Sequence, residues 1–195
     1  MKLSNALSAS RIILAPLFFI IFYLPHWFNV NEQLVVLILI PLFILLEITD
    51  YFDGKVARHT NSVSDFGKHF DPFCDALANL TIMFCFASEN FFPPVLYIVI
   101  LYREFSITFL RMLASQNSFA IPAKMGGKVK TTLYIFSAGF SLLIKLLESF
   151  HLIRTELSHL LRIANLLCYA AAITLAVITF FDYVLEYRKR VGKKN

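Results

Sequence analysis

Six apolar stretches, each about as long as a bilayer's hydrocarbon core is thick, leave this chain few folds to adopt. They run from about 7 to 25, 34 to 57, 65 to 88, 93 to 115, 128 to 149 and 159 to 185, and a helix needs about 20 residues to cross roughly 30 Å of hydrocarbon. In lipid every backbone N–H and C=O must find its partner within the spanning structure, and near-continuous apolar stretches of this length achieve that as α-helices. The expected fold class is all-α integral membrane, with six transmembrane helices in a single domain over residues 1–195. Because 58% of the 195 residues are hydrophobic and only 16% are charged, little polar chain remains for anything outside the membrane. Residues 1–10 hold Lys2 and Asn5 among small side chains. They suit either a short N-terminal interfacial helix or a loose terminus.

Pro16 and Pro41 fall inside the first two stretches, where a kink or compensating neighbours are expected, and Pro93 and Pro94 open the fourth. The turns at 25–33 and 88–92 and the polar connection at 59–64 are short. Of the 18 Lys and Arg residues, all but Lys145, Arg154 and Arg162 fall on one side of this topology. Cytoplasmic flanks collect positive charge, so both termini are expected to face the cytoplasm. The formal charge of +5 reflects that flanking pattern and forms no separate basic domain, which argues against nucleic acid as a partner. Cys74, Cys85 and Cys168 sit within predicted spans without C-x-x-C spacing, so neither a disulfide framework nor a zinc site is expected. The first apolar run lacks a small-residue cleavage pattern and is read as a retained span.

Against this background the run D-Y-F-D-G-K-V-A-R from Asp50, followed by G-K-H-F-D-P-F-C-D from Gly67, puts four carboxylates at the edges of two apolar segments. Ionised groups beside hydrocarbon are costly and point to function. Residues three and four apart share a helix face, so Asp50, Asp53, Gly54, Ala57 and Arg58 form one stripe, and Gly67, Asp71, Asp75 and Asn79 a second. The short connection is expected to set the two helices antiparallel and adjacent, with the stripes facing. Four oxygen ligands in that space suit two divalent cations, Mg or Mn, over zinc. Gly54, Ala57 and Gly67 leave room for a phosphorylated group, and Arg58 offers it a positive partner. A diphosphate bridged by two cations, open to in-line displacement, is the chemistry this pattern fits. Glu47, one turn before Asp50, is a further acid outside the pattern.

The same positions resemble the signature D-x-x-D-G-x-x-A-R-x8-G-x-x-x-D-x-x-x-D of the CDP-alcohol phosphatidyltransferases, and Asp50, Asp53, Gly54, Ala57, Arg58, Gly67, Asp71 and Asp75 fill every fixed position. The resemblance implies that Asp50, Asp53, Asp71 and Asp75 bind the cation pair, with Asp75 also the general base on an acceptor hydroxyl. It implies CDP-diacylglycerol as donor, lying against Gly54, Ala57, Arg58 and Gly67 and approached by Asp50, and CMP as leaving group. It also implies a homodimer, with the active site at the cytoplasmic surface of a bacterial inner membrane.

The acceptor rests on the second half. Arg103 and Arg111 are eight apart and share a face, while Lys128 and Lys130 follow Gly126 and Gly127. Such a basic cluster beside a catalytic site suits an anionic acceptor such as a polyol phosphate. The segments R-E-F-S-I-T-F-L-R, G-K-V-K-T-T and N-A-L-S-A-S-R-I-I-L-A-P resemble the bacterial phosphatidylglycerophosphate synthase subfamily. That resemblance implies that Arg103, Arg111, Lys128 and Lys130 hold the phosphate of sn-glycerol 3-phosphate, and that Asn5 and Arg11 support the nucleotide side. One position departs from it: the subfamily usually has lysine after the last aspartate, and here Ala76 stands there. Inositol phosphate, serine or another alcohol is the alternative acceptor. A divalent-cation transporter is the reading from a different class, and it is disfavoured because the acids cluster on one side and the outer halves of most spans lack polar residues.

Overall fold

A computed structural model describes residues 3–59, 67–116, 119 and 125–192, with side chains described for all of these except 3–7, 50–59, 68, 69, 125 and 128. The described residues form six helices: α1 Leu3–Phe28, α2 Glu32–His59, α3 Gly67–Ser88, α4 Pro94–Gln116, α5 Met125–Ser149 and α6 Thr155–Gly192. They contain no strand. The all-α membrane fold expected from the apolar stretches is therefore the fold observed.

Five helices are long and apolar enough to cross a bilayer: α1, α2, α3, α5 and α6. The sixth, α4, has the length but carries Arg103 and Glu104 at its middle and Arg111 two turns further on. Arg103 is buried against α6, which keeps its charge away from lipid. Among the described residues, 3–10 belong to α1 as one continuous helix. Pro25, expected in a turn, instead lies in the last part of α1, and the N–H of Asn29 still reaches its carbonyl at 3.0 Å. Asn29 then takes a φ of 53° and ends the helix. Asn tolerates this left-handed conformation because its short polar side chain bonds locally.

Across the described residues α1 packs on α2 and α3, α5 packs on α2, α3 and α6, and α4 packs on α3 and α6. The main partner of α2 is thus α1, which also packs on α3. The expected facing of the α2 and α3 stripes depends on side chains between 50 and 66, which lie outside the described residues. The centre is a layer of fully buried Phe18, Phe22, Leu39, Met83, Phe86 and Tyr169. Phe22 meets Phe86 edge to face at 5.7 Å and stacks with Phe18 at 6.3 Å. Helices in lipid gain from close packing and interhelical hydrogen bonds more than from hiding apolar surface, since the lipid itself is apolar. The α5–α6 contact shows this: Asn165 donates to Ser141 at 2.7 Å, and Ser141 lies 3.1 Å from the Tyr169 hydroxyl. Outward, Ile13, Phe28 and Val95 are exposed, as a lipid-facing surface requires.

Polar groups gather at both ends of the bundle. One end joins the starts of α1, α3 and α5 to the ends of α4 and α6. At the other, the buried Lys145 meets both Glu89 carboxylate oxygens at 2.6 and 2.7 Å, and Arg162 meets Glu148 at 2.7 and 2.8 Å. These two pairs lie where the sequence places Lys145 and Arg162, on the side opposite the basic flanks. Glu89 and Glu148 lie near the ends of α3 and α5, where each finds a cation on a neighbouring element or on α6.

Candidate active site

The site is built from α3 outward. Gly67 begins the helix and is buried, and Asp71 and Asp75 follow at four-residue intervals, on one face. From α1, Ser8 donates a hydrogen bond to Asp71 Oδ1 at 2.7 Å, and Arg11 Nη1 pairs with Asp75 Oδ1. Ser8 and Arg11 are three apart, so a single face of α1 meets both carboxylates. Arg11 is buried, while the Asp75 side chain keeps 39% of its surface exposed. Asn79, the next position along the stripe, donates to the backbone carbonyl of Asp75 at 3.0 Å.

Beside Asp75 a cavity of about 400 Å³ opens between α3, α4, α5 and α6. Asp75, Ala76 and Asn79 form its α3 wall, Arg103, Glu104 and Arg111 its α4 wall, and Lys130 and Tyr183 come from α5 and α6. Three of the four predicted acceptor residues therefore line one space with the predicted base. Arg103 donates from Nε to the carbonyl of Ala176 at 3.1 Å, from Nη2 to Thr179 Oγ1 at 2.9 Å and from Nη1 to Glu104 Oε1 at 2.9 Å. Lys130 Nζ reaches the same Glu104 oxygen at 2.6 Å and sits 4.9 Å from the centre of the Tyr134 ring. Arg111 Nη2 donates to the Tyr183 hydroxyl at 3.1 Å, and its guanidinium lies 5.5 Å from that ring's centre. Arg103 and Lys130 share the Glu104 carboxylate and Arg111 stands on Tyr183, so this wall carries more positive charge than negative, a setting for an anion.

The remaining predicted residues are placed by backbone alone. Asn5 is in the first turns of α1, Asp50, Asp53, Gly54, Ala57 and Arg58 are in the C-terminal part of α2, and Lys128 is near the start of α5. Their side chains lie outside the described residues. Among the described residues no three His, Cys, Asp or Glu side chains gather as a metal site, and two of the four expected ligands, Asp71 and Asp75, are described.

Sequence reasoning did not single out Ser8, Glu104, Thr179 or Tyr183. Ser8 could have been found from its place one turn before Arg11, and Glu104 from its position beside a charged residue in an apolar helix. Thr179 and Tyr183 are four apart, with Phe180, Phe181 and Asp182 between them, a helical spacing that puts both on one face.

The sequence model of one family, CDP-alcohol phosphatidyltransferase, matches residues 1–175. Among curated proteins, the chain is 38% identical over 194 residues to a Treponema pallidum protein named CDP-diacylglycerol–glycerol-3-phosphate 3-phosphatidyltransferase, covering 96% of this chain and 89% of that one. A Bacillus subtilis protein of the same name is 35% identical over 148 residues, covering 73% and 77%. A third so named, from Rickettsia felis, is 32% identical over 142 residues, covering 73% and 75%.

Proposed function

Since the chain belongs to the CDP-alcohol phosphatidyltransferase family, we propose that it is the enzyme that moves the phosphatidyl group of CDP-diacylglycerol to sn-glycerol 3-phosphate, giving phosphatidylglycerophosphate and CMP. The observation that carries this reading is the shared cavity of Asp75 with Arg103, Arg111 and Lys130. The names of three relatives agree with it.

Arg103, Arg111 and Lys130 receive the acceptor's phosphate, and its terminal hydroxyl points toward Asp75. Asp75 takes the hydroxyl proton as the oxygen attacks the phosphorus that bears diacylglycerol. The bond from that phosphorus to the oxygen of CMP breaks, and CMP departs with the electron pair. Holding both reactants in one space supplies much of the rate, because a positioned encounter replaces a random one. Ala76 stands in the cavity wall. With three cations facing the same space, the acceptor phosphate has partners without a lysine at 76.

Asp71 and Asp75, one turn apart and both oxygen donors, fit a hard divalent cation, Mg or Mn, with Asp50 and Asp53 as the further ligands. Two such cations, when bound, would neutralise the diphosphate of the donor and stabilise the departing CMP. Gly54, Ala57, Arg58 and Gly67, with Asn5, would lie along the cytidine diphosphate, and Lys128 would join the acceptor cations. The protein is an integral membrane protein. The charge asymmetry supports both termini and the site facing the cytoplasm, in a bacterial inner membrane, and family likeness supports a homodimer.

The test is incorporation of labelled glycerol 3-phosphate into lipid by purified protein supplied with CDP-diacylglycerol and Mg. Incorporation should occur and fall by about 10²-fold or more in Asp75→Asn, the usual contribution of a general base. Full activity in Asp75→Asn would overturn the role given to Asp75.

A further inference from the structure

We propose that the second half of α6 is a positioning element of the acceptor site, in which Thr179 and Tyr183 hold Arg103 and Arg111 in the orientation that receives a phosphate. The inference rests on the reading that these arginines bind the acceptor. Both residues lie past residue 175, where the family match ends.

Ala176, Thr179 and Tyr183 are three and four apart and share one face of α6, turned toward α4. The Thr179 hydroxyl gives its proton to the Ala176 carbonyl at 2.9 Å, so its lone pairs are turned to Arg103 Nη2, also at 2.9 Å. The Ala176 carbonyl accepts from Arg103 Nε as well. A guanidinium has five N–H groups in a fixed plane. With Nε and one N–H on each terminal nitrogen engaged, one N–H on each terminal nitrogen is left to meet a phosphate. Arg103 and Thr179 are both buried, so their hydrogen bond is made away from water, where it counts for more.

The rotamer of Thr179 is itself held. A Cβ placed on Gly126 would come within 2.7 Å of Thr179 Cγ2, so the threonine methyl fills the notch that the glycine leaves at the start of α5. A turn further along α6, Tyr183 does the same for Arg111, accepting its hydrogen bond and lying beneath its guanidinium. Thus α6 sets the direction of two side chains that bind the acceptor.

Steady-state kinetics on the purified full chain with CDP-diacylglycerol, Mg and varied glycerol 3-phosphate test this. Thr179→Val keeps the shape and loses the acceptor oxygen, and Tyr183→Phe keeps the ring. Each should raise the KM for glycerol 3-phosphate by about tenfold, the scale of a hydrogen bond to a charged group, with kcat and the KM for CDP-diacylglycerol little changed. Thr179→Ser, which keeps the hydroxyl and loses only the methyl in the Gly126 notch, should bring the KM most of the way back to wild type. Unchanged KM values in both variants, while Arg103→Ala and Arg111→Ala raise theirs, would overturn the role of α6 and leave the acceptor reading standing. If the two arginine variants also left KM unchanged, the acceptor reading itself would fall. A parallel loss of kcat and both KM values without rescue by serine would show general packing damage and would also overturn the inference.

Discussion

Arg11 on α1 and Asp75 on α3 form an ion pair across 64 positions of sequence, with the arginine buried and the aspartate open to the cavity. One turn earlier Ser8 makes the matching contact to Asp71. The first helix therefore belongs to the catalytic end of the bundle, and the orientation of Asp75 depends on it.

Replacing Arg11 tests that dependence. Arg11→Ala removes the partner of a half-exposed carboxylate, a loss of about 1–3 kcal/mol in stability because water still reaches Asp75. The larger effect falls on the reaction: kcat should drop by roughly 10²-fold, as for a misplaced reacting group, with the KM for glycerol 3-phosphate nearly unchanged. A wild-type kcat in Arg11→Ala would separate the ion pair from catalysis.

Two adjacent glycines give a contrast that packing alone decides. A Cβ at Gly126 meets Thr179 at 2.7 Å, whereas one at Gly127 meets nothing within 4 Å. Gly126→Ala should lower stability by about 1–3 kcal/mol through overpacking. Gly127→Ala should be neutral or slightly stabilising, by up to about 1 kcal/mol, from helix propensity. Thermal unfolding in detergent compares them, and equal midpoints would contradict the close α5–α6 approach.

Much of this could be read from the residues, for reasons that differ along the chain. The helices were legible because lipid permits little else for stretches of such length. Asp71 and Asp75 stood out because a carboxylate in an apolar helix is costly, and Arg103 for the same reason. What the residues hid were partners distant in sequence: Arg103 finds Thr179 across 76 positions and Lys145 finds Glu89 across 56. Helical spacing tells which residues share a face, but not which other helix that face meets. The packing of α2 on α1 was hidden for the same reason, since a short connection limits distance without fixing the neighbour.

The ion pairs at the far end give a prediction of the opposite kind. Lys145 and Glu89 are largely buried side chains, and removing one partner strands the other, which costs about 3–5 kcal/mol when burial is complete and less here. Lys145→Met should therefore lower the unfolding midpoint while leaving both KM values near wild type. A change in either KM with unchanged stability would tie this end of the bundle to substrate binding.

Chelation tests the cation assignment. EDTA should abolish transfer, and Mg or Mn should restore it. Asp71→Asn should shift the cation concentration for half-maximal activity upward by about tenfold or more, since a neutral amide is a poorer ligand for a hard cation. Transfer that persists in EDTA would remove the proposed cations from the reaction.

The acceptor decides which lipid the enzyme makes, so the most direct measurement is the rate of CMP release from CDP-diacylglycerol by purified protein offered one acceptor at a time: glycerol 3-phosphate, glycerol, inositol phosphate or serine. Rapid release with glycerol 3-phosphate and little with the others is the predicted result. Rapid release with inositol phosphate or serine, and none with glycerol 3-phosphate, would contradict it.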